Sequence, residues 1–301
     1  MSLEPRYRPL LALRPTNAMH FLSPRGEVPL LSSRELAPAL RELGLPLWLA
    51  AVEGAGQVEA VLRAAAQARA CAGLVLWPDS LDEIELRRRW APAAFFNQAR
   101  QAAEQQARVC PFTLHLQQPP WQPGDGRGLE LLRAYLVRAA ESGFVSFSLD
   151  LHPAGGDDQA LELLLADLAG FAPGLLLRCI LEGPVDETAL AGYLERCLAR
   201  ARQAGLEPQA LLLDGAGATE VFAGLCERLP APEARLLGLG QEQPGKLAGV
   251  LEPAAVLARL AGGSGAERNE ALVYMEAGDW LESLGLEGSA PRLAQRLLAA
   301  P

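Results

Sequence analysis

Eight short apolar runs alternate with amphipathic segments along the chain, and this alternation restricts the fold more than any other feature. The runs are PLWLAAVE (46–53), AGLVLWPD (72–79), PFTLHLQQ (111–118), FVSFSLDLH (144–152), LLLRCILEG (175–183), QALLLDGA (209–216), ARLLGLGQ (234–241) and ALVYMEAG (271–278). Short apolar runs between turn residues are typical of strands buried in a parallel sheet, and the segments between them have helical spacing. The sequence therefore predicts either a closed (β/α)8 barrel or a doubly wound sheet.

The count of eight strands and the absence of a GxGxxG motif after the first run favour the barrel. The chain has 301 residues, 50% of them hydrophobic, which is enough for one large core. Single barrels of this kind commonly occupy about 250 residues. We predict an irregular, proline-rich amino-terminal arm over residues 1–32 and a single (β/α)8 TIM barrel over residues 33–301.

Helix signals in the sequence agree with this division. A leading helix is predicted from the Ser32/Ser33 cap to Gly44, because serine and glycine are common at these two ends of a helix. The helical segment from Asp82 to Arg108 contains Pro92, where we expect a break. The segment LEPAAVLARLAG (251–262) is predicted to be helical.

Charge and cysteine usage exclude several classes of protein. The 27 basic and 36 acidic residues give a net charge of −9, which opposes generic binding to nucleic acid or to an anionic membrane. Five scattered cysteines without a CxxC pair suit free thiols, and no transmembrane run or signal peptide is recognised, so we expect a cytoplasmic protein. The single lysine, Lys246, lies in a Gly/Pro loop, which disfavours Schiff-base chemistry.

Polar residues collect at the carboxyl ends of the predicted strands, where barrels build their sites. They are Glu53, Trp77, Asp79, His115, Gln117, Gln118, Asp150, His152, Arg178, Glu182, Asp214, Gln241, Glu242, Glu276 and Asp279. Imidazole and carboxylate groups together suit zinc or another divalent metal, and a site of His115, His152 and Glu182 is one hypothesis. His115 as an interior histidine, Asp150 as a turn cap and Glu182 as a loop anchor are the alternatives.

Two glycine-rich loops are candidates for phosphate binding. DGAGATE (214–220) joins a predicted strand to a helix, so that Asp214, Gly215 and Gly217 could contact substrate through backbone N–H groups. AGGSG (261–265) follows a predicted helix, and we interpret it as a flexible connection.

Several motifs resemble the class II aldolases of fructose- and tagatose-bisphosphate. The segments are LHLQQPPW, AYLVRAAESGFVSFSLDLHPAGGDD and RCILEGPVDE, with the best match from Gly143 to Asp157. The resemblance extends loosely from Pro46 to Thr219 and is strongest to the non-catalytic barrel subunit that accompanies tagatose-bisphosphate aldolase. It implies a TIM barrel, a phosphorylated sugar as ligand, and either an aldolase-type partner subunit or a homodimer.

The family's catalytic residues are not all present. The resemblance implies an Asp-His pair after the third strand, with Asp as acid/base and His on zinc, together with later zinc histidines. Gln117 and Gln118 replace that pair in one alignment, and Leu114 replaces the Asp in the other. No histidine follows His152.

Three functions remain open on the sequence. The first is an aldolase-like protein that has lost the zinc-dependent chemistry and acts as a binding or accessory subunit, with Gln117 and Gln118 among its substrate-binding residues. The second is an active metal-dependent lyase or isomerase on a phosphorylated sugar, with Asp150 and Glu182 catalytic. The third is unrelated chemistry on the same barrel, since fold does not fix function.

Overall fold

Eight parallel strands form a closed barrel, and every strand is hydrogen-bonded to its neighbours in chain order. The computed structural model describes residues 4–22, 27–106, 110–153, 158–241, 253–260 and 270–299. The strands are β1 (Leu47–Ala51), β2 (Ala72–Leu76), β3 (Phe112–Gln117), β4 (Ser146–Leu151), β5 (Gly174–Leu181), β6 (Pro208–Gly215), β7 (Leu237–Gln241) and β8 (Ala255–Arg259). β8 pairs with β1 in parallel and closes the ring. The predicted (β/α)8 barrel is confirmed.

Helices follow the strands and cover the outside of the barrel. After a 3-10 helix at Pro5–Leu13, the described helices are α1 (Thr16–Met19), α2 (Ser33–Glu42), α3 (Ala55–Ala68), α4 (Glu83–Arg88), α5 (Pro92–Gln105), α6 (Gly126–Glu141), α7 (Asp158–Ala169), α8 (Glu187–Gln203), α9 (Ala218–Arg228), α10 (Ala231–Ala234), α11 (Glu270–Ser283) and α12 (Ser289–Ala299). Within the described part of the chain, none of them combines the length and the apolar character that a membrane span would need.

Seven of the eight predicted strands are confirmed, and the last is wrong. Residues 271–278 belong to α11, whereas β8 lies in the segment that was predicted to be a helix. In α11, Val273, Ala277 and Trp280 are buried at helical spacing while Leu272 is exposed. Short Ala-rich apolar segments fit either structure, and here the pairing of β8 with both β7 and β1 decides between them. Glu276 and Asp279 are therefore not at a strand end.

The leading helix and the break at Pro92 are confirmed. The hydroxyl of Ser32 accepts a hydrogen bond from Arg34 N and caps α2. α4 ends at Arg88, and α5 begins at Pro92, where proline's missing N–H is harmless.

The base of the barrel, at the amino-terminal ends of the strands, is filled by the segments that precede β1. Tyr7 and Leu10 of the 3-10 helix and Leu36 and Leu40 of α2 are buried in one cluster with side chains of the strands. The strand members of that cluster include Leu47, Leu49, Val75, Leu176, Ala210, Leu212 and Leu257. The interior of the barrel is thus closed by apolar side chains at this end.

Gly215, the last residue of β6, tests the close approach of β6 to β5, because no side chain fits there. Its φ is +107°, and an added Cβ would lie 2.4 Å from the carbonyl oxygen of Leu181 in β5. We expect Gly215→Ala to lower the free energy of unfolding by about 2 kcal/mol, the order of cost for strained backbone. Gly170→Ala is the control, since its Cβ would meet nothing within 4 Å. Urea denaturation of both variants measures the difference, and equal stabilities would contradict the packing.

Candidate functional site at the barrel mouth

The carboxyl-terminal ends of the strands, which we call the mouth, hold a polar network centred on Arg178. Asp150 in β4 is the register partner of Arg178 in β5. Arg178 Nη1 donates to Asp150 Oδ1 at 3.1 Å and to Oδ2 at 3.2 Å, and its Nε donates to Asp214 Oδ2 at 2.7 Å. One guanidinium therefore pairs with carboxylates on both neighbouring strands.

Burial makes this network energetically important. The side chains of Asp150, Arg178 and Asp214 are 3%, 12% and 24% exposed. Burial raises the pKa of Asp150. The charge of Arg178 opposes this rise most strongly, followed by His152 and by the hydrogen bond from Gln117. Burial also acts to lower the pKa of Arg178, but the two carboxylates outweigh it and the pKa is raised. A buried charge without a partner is costly, so each member depends on the others.

Gln117 and Gln118, which the sequence predicts as substrate-binding residues, both contact Asp150. Gln117 Nε2 donates to Asp150 Oδ1 at 2.7 Å, and Gln118 Oε1 accepts from the backbone N–H of Asp150 at 3.2 Å. Both glutamines are buried. Gln117 thus holds the carboxylate and Gln118 holds the backbone of Asp150. Gln117 Oε1 has no hydrogen-bond partner within the described part of the chain.

Trp77 connects this network to a second arginine. The Cζ of Arg178 lies 4.7 Å from the Trp77 ring centroid, and the Cζ of Arg259 lies 3.9 Å from it. Arg259 is exposed and has no ion pair with a described residue. It lines a pocket of about 230 Å³ together with Glu53, Gln57, Trp77, Asp79 and others.

The two carboxylates of that pocket are already paired. Arg89 Nη2 lies 2.9 Å from Glu53 Oε2, and Arg89 Nη1 lies 3.4 Å from Asp79 Oδ2. Arg259 is thus an available cation at the mouth, backed by an aromatic face.

His115 lies deeper, inside the barrel. Its side chain is fully buried, and its Nε2 is 2.7 Å from Ser148 Oγ, while Nδ1 has no partner among the described residues. Burial lowers the pKa of His115 to about 3, so the ring is neutral at physiological pH. It matches the interior histidine that was one of the sequence alternatives.

His152 and Glu182 are brought together without His115. Both line a pocket of about 450 Å³ with Pro123, Pro153 and Ile180 among its other walls. His152 follows the end of β4 and Glu182 follows the end of β5, whereas His115 lies inside β3. Among the described residues, no three His, Cys, Asp or Glu side chains form a group that could hold a metal ion. The predicted set of His115, His152 and Glu182 therefore does not fit zinc.

The DGAGATE segment contributes Asp214 to the mouth. Gly240 in β7 leaves room for that carboxylate, since an added Cβ would lie 2.6 Å from Asp214 Cγ. Gly215 approaches the backbone of β5 closely, and Gly217, with φ +86°, precedes α9. Their role as predicted substrate contacts stays a prediction. Glu242, Lys246 and the AGGSG segment at 261–265 lie outside the described residues.

Arg178, Trp77 and Arg259 are the site residues that sequence reasoning undervalued. Arg178 and Trp77 stand at predicted strand ends, and an arginine inside the apolar run LLLRCILEG was a usable signal of a buried ion pair. Arg259 was missed because its segment was predicted to be a helix.

Solved structures of aldolases share this fold. No protein-family model and no curated protein matches the sequence. The YdjI aldolase from Escherichia coli K12 superposes with a TM-score of 0.56 at 14% identity, over 87% of this chain and 99% of that one. Fructose-bisphosphate aldolase (Fba) from Campylobacter jejuni gives a TM-score of 0.56 at 12% identity, over 85% and 94%. At these identities the likeness establishes the barrel fold.

Acid should weaken the fold through His115. Its pKa is about 3 when folded, against an ordinary value of 6.5, so the unfolded chain binds a proton that the folded chain does not. The contribution of the neutral ring to the free energy of unfolding is fully present above pH 6.5 and is lost as the pH falls toward 3. At pH 5 the loss is about 2 kcal/mol. We expect His115→Gln to reduce the loss between pH 7 and pH 5 by that amount in urea denaturation. His20→Gln, at an exposed position, is the control, and an unchanged pH slope in His115→Gln would disprove the assignment.

Arg178→Met should leave Asp150 buried and uncompensated. We expect a loss of about 3 kcal/mol at pH 8 and a smaller one at pH 5, because burial raises the pKa of Asp150 and a lower pH favours its uncharged form. Arg133→Met removes a more exposed pair with Asp167, whose N–O distance is also 2.7 Å. That control should cost less than about 1 kcal/mol. Chemical denaturation at both pH values compares them, and a pH-independent loss in Arg178→Met would argue against the uncompensated charge.

Proposed function

We propose that this chain is an aldolase-like barrel that binds a phosphorylated sugar at its mouth, without zinc-dependent aldol cleavage, as a binding or accessory subunit. The observation that carries the proposal is the pairing of Arg178 with both Asp150 and Asp214. It occupies the two inward-facing carboxylates with which this part of the mouth could hold a metal or move a proton.

Proton transfer is poorly supported by the residues at the ends of β3 and β4. A general base must be able to reach a substrate proton and accept it. Asp150 accepts hydrogen bonds from Arg178 and Gln117, and His115 is sealed in the interior against Ser148. In one alignment with the aldolases, Gln117 and Gln118 stand where the resemblance implies an acid/base and a zinc ligand, and an amide suits neither role. In the other alignment, Leu114 replaces the acid/base.

Arg259 is suited to bind a phosphate group. A guanidinium recognises phosphate through parallel, charge-assisted hydrogen bonds. Arg259 is exposed beside Trp77 at the mouth, and the shared fold with the Campylobacter jejuni fructose-bisphosphate aldolase suggests the ligand class. An aldolase-type partner subunit would supply the catalytic residues in an assembly, and a homodimer that only binds the sugar is the alternative.

Fructose 1,6-bisphosphate is the probe for this proposal. We expect isothermal titration to detect binding, and Arg259→Gln to weaken it at least tenfold, about 1.4 kcal/mol, because a phosphate contact is lost. Arg88→Gln removes the same charge from an exposed position of α4 and should bind normally. The untouched protein should release no triose phosphate in a coupled assay. Absence of binding, or cleavage at an ordinary enzymatic rate, would refute the proposal.

A second candidate is an active lyase or isomerase, favoured by the pocket that His152 and Glu182 share. Glu182 is exposed, so it is available to a substrate in a way that His115 is not. Under this alternative, Glu182→Gln should abolish turnover, while the Tm stays within a few degrees because no buried contact is lost. A sugar-phosphate turnover assay paired with a thermal melt measures both. Glu141→Gln, another exposed glutamate, is the control, and retained turnover in Glu182→Gln would exclude the role.

A further inference from the structure

A second pocket, lined by two arginines, lies at the base, opposite the mouth. Its volume is about 410 Å³, and its walls include Arg41, Glu42, Gly44, Leu45, Arg235, Pro253 and Ala254. Leu45 and Ala254 precede β1 and β8, and Arg235 precedes β7. The pocket is therefore at the amino-terminal ends of the strands, whereas the proposed sugar site is at their carboxyl-terminal ends.

The two arginines of this pocket lack acidic partners. Neither Arg41 nor Arg235 forms an ion pair with any residue of the described ranges. Arg41 Nη2 donates to the backbone oxygen of Gln209 at 2.7 Å, which fixes the guanidinium, and its buried Nε has no acceptor there. Burial and then the charge of Arg235 lower the pKa of Arg41, which places the two cations within electrostatic reach of each other.

Three carboxylates of the described residues on this side of the barrel already have arginine partners. Glu42 is bound to Arg296, and Glu233 lies 2.8 Å from Arg202 Nη1. Glu207 also pairs with Arg202. Two like charges that share a pocket repel each other, and an anion placed between them removes the repulsion and is attracted by both.

We propose that Arg41 and Arg235 bind the phosphate group of a phosphorylated small molecule at the base of the barrel. A phosphate dianion matches two guanidiniums in charge and offers several acceptor oxygens for their N–H groups. Leu45, Pro253 and Ala254 give the pocket apolar walls, and its volume leaves space for the rest of such a ligand. Because the pocket is remote from Arg259, both ends can be occupied at once.

Inorganic phosphate tests the site, in a background that removes the mouth arginine. We expect Arg259→Gln protein to bind one phosphate by isothermal titration, and its Tm to rise with phosphate relative to chloride at equal ionic strength. Adding Arg235→Gln should weaken binding at least tenfold; Arg235 is exposed, so this change should not unfold the protein. Arg41→Lys keeps the positive charge but loses the parallel N–H donors of the guanidinium, so it should also weaken binding. Arg34→Gln, an exposed change on α2, is the control.

The outcomes separate this site from the proposed sugar site. A dissociation constant for phosphate that changes less than twofold when Arg235→Gln is added overturns the inference. Complete loss of phosphate binding in Arg259→Gln alone also overturns it, because the phosphate would then be bound at the mouth. Binding that needs Arg235 and not Arg259 supports the inference, even if fructose 1,6-bisphosphate fails to bind at the mouth.

Discussion

The mouth of this barrel depends on one buried arginine. Arg178 points inward from β5 and needs compensation on both sides, which Asp150 and Asp214 provide from the adjacent strands. Gly240 leaves space for one of these carboxylates, and Gln117 anchors the other. A barrel interior cannot hold an isolated charge, so these positions are coupled in stability and in any function.

The same coupling explains why an aldolase-like fold need not carry aldolase chemistry. The barrel brings the strand ends to a common mouth, but the side chains there decide what they can do. Both oxygens of Asp150 accept hydrogen bonds from Arg178, and one of them also accepts from Gln117, so this carboxylate is already engaged within the network. Arg259 at the mouth and Arg41 with Arg235 at the base have no ion pair within the described part of the chain. These cations are suited to holding anions, although the chain as a whole carries a net charge of −9.

The sequence predicted the fold better than the site. Strands buried on both faces leave a plain apolar signal, and seven runs could be placed from it. β8 could not, because AVLAR is as apolar as a helix turn and its partners are more than 200 residues away on one side, at β1. At the site, Asp150 and Asp214 were found as polar strand ends. Strand register decides which face of each strand a residue occupies. It therefore decides that both carboxylates form ion pairs with Arg178 and that His115 lies apart from His152.

Closure of the base has a consequence for how the domain assembles. Ser32 Oγ donates to the backbone oxygen of Val145, 113 residues away, and Ser33 N donates to Ser146 Oγ. Leu47 N bonds to Ala254 O, which joins β1 to the start of the last strand. Ser32 and Ser33 therefore acquire these partners only after β4 has been synthesised, and Leu47 acquires its partner only when synthesis has reached β8. Such distant pairings make folding slow, because loop-closure entropy is lost before the contacts that offset it can form.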